Sequence, residues 1–81
     1  MKLVLLRALS ESLPRSAPQV QKAFLKQSQF LLHDLHHPSL RAKKFDEALG
    51  IWQARVNRGW RFYFTIETSE YRMQALVPHP K

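Results

Sequence analysis

The chain has 81 residues, 44% of them hydrophobic, with five Phe, two Trp, two Tyr and no cysteine. At this length residues 1–81 read as one domain that buries only about 60% of the surface exposed when unfolded, and disulfides and thiolate metal sites are excluded. Thirteen Lys and Arg against six Asp and Glu give +7, a field that favours nucleic acid or an acidic protein, although small basic proteins also carry such charge for solubility alone.

The run Leu3-Val4-Leu5-Leu6, closed by Arg7, is too short for a signal-peptide core or a membrane span and reads as a strand. No membrane partner is expected, and a cysteine-free chain suits the reducing cytoplasm. "LSESLPRSAPQ" marks a connection with room for one helical turn before Pro14. Ser16 and Gln19 have capping-box spacing, and Pro18 stands where its missing N–H costs nothing, so a helix is expected to start there. Val20, Ala23, Phe24, Leu31 and Leu35 share one face of this helix, interrupted by Gln27 and Asp34, and Pro38 is expected to end it.

"SLRAKKFDEALG" is a charged connection, with room for a short helical turn, that closes at Gly50. Three strand-like runs follow, Ile51 to Val56, Trp60 to Ile66 and Tyr71 to Val77. Asn57-Arg58-Gly59 fits a three-residue hairpin loop with Gly59 left-handed, and Glu67 to Glu70 a four-residue one. The expected class is α+β: a small antiparallel sheet, made of the N-terminal strand and a C-terminal three-strand meander, with one or two helices on one face.

If Val56 faces Trp60, then Arg55 faces Arg61, Ala54 faces Phe62, Gln53 faces Tyr63 and Trp52 faces Phe64. One face is then apolar (Trp52, Ala54, Val56, Trp60, Phe62, Phe64, Ile66) and the other carries Gln53, Arg55, Arg61 and Tyr63. Like charges directly opposite on a strand pair destabilise it by some tenths of a kcal/mol, about 0.2–1 at most, so fold stability does not explain the two arginines. Either they lie in water or pair with Asp46, Glu47 or Glu67, or they await an anion beside an aromatic and an amide, as on a phosphate-and-base surface.

In the last strand the same counting pairs Phe64 with Met73, Phe62 with Ala75 and Trp60 with Val77. It brings His79 and Lys81 to the end of the sheet that holds Arg55, Arg58 and Arg61. Histidine can exchange a proton near neutral pH, which makes this a candidate active site. Strand parity puts His79 on the core side, but Pro78 and the end of the sheet free it to turn either way.

"HDLHHP" has a metal-capable spacing between His33 and His37, yet two imidazoles without a third fixed ligand make a weak site, and helix ending is the better account. No metal or cofactor is expected. Lys43 and Lys44, followed by Asp46 and Glu47, offer phosphate-binding lysines and a carboxylate base, or simply a solvated face. The two glycines, Gly50 and Gly59, make no phosphate loop, and no serine sits on a nucleophile elbow.

"LP" before the long helix, "HPSLRAKKF" after it, "WQARVNRGWRFYF" in the hairpin and a terminal "HPK" together resemble the RelE/ParE superfamily of bacterial toxins from type II toxin-antitoxin systems, over nearly the whole chain. The resemblance implies a RelE-like fold and, for the ribonuclease branch, metal-independent cleavage of mRNA, mostly on the ribosome, through a 2′,3′-cyclic phosphate. By that resemblance Arg61 and Arg55 are phosphate ligands and His79 is an acid or base. Gln53, Arg58, Trp60, Tyr63, Lys43, Lys44 and Lys81 are then candidate RNA-binding residues, and Glu47 or Asp46 a candidate general base. The implied partners are a cognate antitoxin, mRNA and the ribosome. The chain departs from the pattern in three ways: Trp52 and Ala54 stand where some members have lysines, the glutamate base has no aligned counterpart, and no tyrosine follows His79. The alternatives are a non-enzymatic protein that binds DNA gyrase and a degenerate module that only binds an antitoxin.

Overall fold

The computed structural model describes residues 1–79. Strand β1 (Lys2–Leu5) leads into a short helix α1 (Arg7–Ser12), a 3-10 turn (Leu13–Arg15) and the long helix α2 (Pro18–His33). A second 3-10 turn (Pro38–Leu40) precedes strands β2 (Lys43–Asp46), β3 (Ile51–Asn57), β4 (Trp60–Glu67) and β5 (Glu70–Pro78). The sheet order is β1-β5-β4-β3-β2, antiparallel throughout except that β1 runs parallel to β5. The expected meander is present, the N-terminal strand joins it in the parallel sense, and β2 is an additional edge strand within the stretch read as a charged connection. Lys-Lys-Phe-Asp is short and charged, as edge strands commonly are.

The helices lie on one face of the sheet. Between the layers sit Leu9, Val20, Phe24, Leu31, Leu40, Ala54, Val56, Phe62, Phe64, Met73 and Leu76, with the Phe24 and Phe62 rings edge to face at 5.5 Å. The predicted inward set of the hairpin is observed for Ala54, Val56, Phe62 and Phe64, all buried, whereas Ile66 is 38% exposed near the end of its strand.

Helix α2 differs from expectation at both ends. Its start falls at Pro18, but Ser16 makes no cap: the Ser16 hydroxyl donates to the Ser12 carbonyl, and the Gln21 amide donates to the Ser16 carbonyl. Its end falls at His33, not at Pro38, because Asp34 turns extended and its Oδ1 accepts from the His36 N–H. His37 therefore lies beyond the helix, where its ring stacks on Phe30 at 3.9 Å.

Gln27, which breaks the apolar stripe in sequence, is 4% exposed and fully bonded. Its Nε2 donates to the carbonyls of Arg55 (2.8 Å) and Ser39 (3.0 Å), and its Oε1 accepts from the Ser39 hydroxyl (2.9 Å). The β3–β4 register slips between Arg55 and Asn57, a bulge of the kind that interrupts ladder bonding, and the Gln27 amide supplies a partner for the Arg55 carbonyl. Gly59 is not left-handed as predicted. The Asn57 side chain accepts from its N–H at 2.9 Å and closes the turn without that conformation, while Gly50 has φ 66°.

A second bulge separates Tyr63 from Phe64 in the β4–β5 pairing. Ile66 faces Tyr71 and Phe64 faces Met73 as expected, but beyond Gln74 the partners become Tyr63 with Ala75, Phe62 with Leu76 and Arg61 with Val77. The extra residue turns Leu76 into the core in place of the smaller Ala75. It also reverses the parity of everything that follows.

Candidate active site

The face of the sheet away from the helices carries the cations. Arg55 and Arg61 stand directly opposite each other, and Lys43 faces Gln53 from the edge strand. Because of the bulge at Gln74, Val77 pairs with Arg61 on this face, and His79 follows two residues later with its N–H donating to the Gly59 carbonyl at 2.8 Å. The parity expected for His79, toward the core, is thus corrected. A cavity of about 280 Å³ is lined by Arg41, Lys43, Gln53, Ala54, Arg55, Arg61 and His79.

Among the described residues no carboxylate lines this cavity. The acids offered by the sequence as partners for the arginines are engaged elsewhere: Glu67 with Arg72 at 3.3 Å, Glu47 with Lys44 at 3.8 Å, and Asp46 as acceptor from the Leu49 N–H at 3.0 Å. Among the described residues Arg55 and Arg61 form no ion pair. Burial, then the charges of Arg55 and Arg41, holds the Arg61 pKa below the ordinary arginine value, opposed by Tyr63. Such a group stays protonated at neutral pH and gains when an anion arrives.

Arg61 is also held in place. Its Nη1 donates to the carbonyls of Asn57 at 2.7 Å and Trp60 at 2.9 Å. A guanidinium has five N–H donors, so Nε and Nη2 remain for a ligand while Nη1 fixes the plane. One pair further along the strands, Gln53 Nε2 donates to the Tyr63 hydroxyl at 3.0 Å, and the Tyr63 ring packs against Phe45 at 4.8 Å. Beyond lies an apolar cleft of about 240 Å³ between Phe45, Ile51, Tyr63, Gln74 and Ala75.

Of the sequence candidates, Arg55, Arg61, His79, Lys43 and Gln53 converge on one cavity, with Tyr63 adjacent to it. Arg58 sits in the exposed β3–β4 turn and lines a neighbouring cleft. Trp60 packs toward the helix layer beside Ala17 and Leu76, in phase with buried Phe62 and Phe64 along β4, and its strand partner is Asn57 rather than the expected Val56. Lys44 pairs with Trp52 and places its ammonium over that ring at 5.3 Å, away from the arginine face. Asp46 and Glu47 stand at the β2–β3 turn, outside the cavity, since the turn needs the Asp46 cap. Lys81 lies outside the described residues. Arg41 was missed by sequence reading: it follows the second 3-10 turn with φ 47°, which no periodicity announces.

Neither a protein-family model nor a curated protein sequence matches this chain. The fold nevertheless matches those of solved YoeB/ParE and RelE proteins. A YoeB/ParE toxin from Agrobacterium tumefaciens superposes with a TM-score of 0.82 over 99% of this chain and 100% of that one, at 14% identity. A YoeB dimer from Staphylococcus aureus gives 0.81 over 99% and 98%, at 12% identity. An archaeal RelE–RelB complex from Pyrococcus horikoshii OT3 gives 0.79 over 95% and 92%, also at 12%. At these identities the likeness is one of fold. Among the described residues no helix is long and apolar enough to cross a membrane.

Proposed function

We propose that this chain is the toxin of a type II toxin-antitoxin system, an endoribonuclease that cleaves mRNA on the ribosome without a metal ion and is neutralised by a cognate antitoxin. The observation that carries this reading is the opposed pair Arg55 and Arg61, without carboxylate partners among the described residues and beside His79. The toxin fold and the RelE–RelB complex among its structural neighbours support the antitoxin partner.

The ribose 2′-oxygen attacks the neighbouring phosphorus, the bond from phosphorus to the 5′-oxygen breaks, and a 2′,3′-cyclic phosphate is left. The two guanidiniums hold the non-bridging oxygens, where charge grows as the phosphorane forms. His79 acts as general acid and protonates the departing 5′-oxygen. With no carboxylate among the described residues that line the cavity, the 2′-hydroxyl proton passes to solvent. Lys43 and Gln53 hold the flanking backbone, and Tyr63, braced by Phe45, stacks on a base. A histidine beside two opposed arginines, unpaired among the described residues, favours the ribonuclease over a protein that only binds gyrase or an antitoxin.

The product ends test this chemistry. RNA cut by the wild-type protein in a translation extract should carry 2′,3′-cyclic phosphates and 5′-hydroxyls. Products with 5′-phosphates and 3′-hydroxyls would refute it.

A further inference from the structure

A larger cavity, of about 580 Å³, lies between α2, the second 3-10 turn and the β3–β4 turn. Its walls carry Lys26, Arg41, Arg55 and Arg58 and, among the described residues, no carboxylate. Among those residues none of the four cations forms an ion pair. Converging cations repel one another, and a polyanion relieves that repulsion. Part of the wall is rigid, because buried Gln27 ties α2 to the carbonyls of Ser39 and Arg55.

Arg41 and Arg55 line both this cleft and the cavity on the sheet, so the two form one basic path. Arg41 stands at the junction in left-handed geometry, φ 47° and ψ 41°, where glycine or asparagine is the usual choice. An arginine in this geometry carries a backbone cost that binding through its side chain would offset. The rest of the lining is polar (Gln27, Ser39, Asn57) or small and apolar (Ala23, Pro38, Val56), without the aromatic anchor that a protein partner favours. A chain with a repeating negative charge suits both cavities at once, and guanidinium forks suit phosphate.

We propose that this cleft is a second phosphate-binding subsite for single-stranded RNA, in which Arg41, at the junction of the two cavities, grips the phosphate next to the scissile one. The inference rests on the ribonuclease reading and extends the substrate path from the sheet round the β3–β4 turn.

The test is fluorescence anisotropy with 2′-O-methyl oligoribonucleotides, a trinucleotide and an octanucleotide, which cannot be cleaved by 2′-hydroxyl attack. The octanucleotide should bind the wild type more tightly, and a Lys26→Ala/Arg58→Ala variant should lose most of that gain. Arg41→Gly should weaken octanucleotide binding and lower the salt-dependence slope by about 0.7 for each phosphate no longer neutralised. Its melting temperature should not fall, because glycine adopts the left-handed conformation freely. Octanucleotide affinity equal to wild type in both variants would overturn the subsite. The ribonuclease reading would survive that result if Arg61→Ala still weakened trinucleotide binding, and would fall with it otherwise. Polyglutamate binding more tightly than the octanucleotide, and abolished in the Lys26→Ala/Arg58→Ala variant, would overturn the RNA assignment in favour of an acidic protein partner.

Discussion

The side-chain amide of Gln27, in the middle of α2, donates to the main-chain carbonyl of Arg55 at 2.8 Å. A buried polar residue on the helix thereby fixes the bulge that sets the position of a candidate phosphate ligand. Gln27→Leu leaves the Arg55 and Ser39 carbonyls without this donor, and the loss of a buried partner costs about 1–3 kcal/mol. Urea unfolding should register that loss. RNA cleavage should fall further than the unfolded fraction explains, since small displacements of positioning groups cost rate steeply.

The opposed arginines should show a trade between stability and activity. Removing one of two like charges that face each other relieves repulsion, so Arg55→Ala should unfold at an unchanged or higher urea midpoint, by up to about 1 kcal/mol. The same variant should lose cleavage by about 10²–10³-fold if its guanidinium stabilises the phosphorane. A variant that is both less stable and fully active would contradict the assignment.

Arg61→Lys separates charge from shape. A lysine keeps the positive charge but cannot both brace against the Asn57 and Trp60 carbonyls and present a planar fork. Oligonucleotide binding should be partly retained while the cleavage rate falls by at least about tenfold, as expected when a ligand is present but poorly placed.

The carboxylates at the β2–β3 turn lie outside the cavity. Glu47→Gln should leave the cleavage rate within about twofold, rather than lowering it by the roughly 10²–10⁴-fold expected of a lost general base. Single-turnover kinetics on a ribosome-bound message would measure this.

Burial, followed by the charge of Asp34, raises the Tyr71 pKa above the ordinary phenol value. A group whose folded pKa is raised contributes stability that is complete below the unfolded value, about 10, and is lost as pH climbs through the folded one. Chemical denaturation of the wild type between pH 8 and 11 should therefore show an alkaline loss that is smaller in Tyr71→Phe. Lysine titration is common to both proteins and cancels in the comparison.

Parts of this architecture were plain in the sequence for physical reasons. The alternation of Trp52, Ala54 and Val56 with Gln53 and Arg55 allows one register in which the apolar set meets Phe62 and Phe64, so Arg55 opposite Arg61 could be read directly. The β4–β5 pairing was legible only as far as Met73. Ala75-Leu76-Val77 is apolar at every position, so alternation does not say which side chain points inward, and the bulge at Gln74 that exposes His79 to the arginines left no pattern. Strand β2 was hidden by its charge, and Arg41 by a left-handed turn that any sequence window reads as loop. The capping-box spacing at Ser16 misled because the Ser12 carbonyl took its hydroxyl.

Whether this chain cuts messages on the ribosome is decided by primer extension on a defined mRNA in a bacterial translation extract, with and without ribosomes, using the wild-type protein and Arg61→Ala. Cuts within codons should require ribosomes and disappear in the variant, with both proteins folded by circular dichroism. Intact message with a folded wild-type protein, or equal cutting by the variant, would contradict the ribonuclease reading.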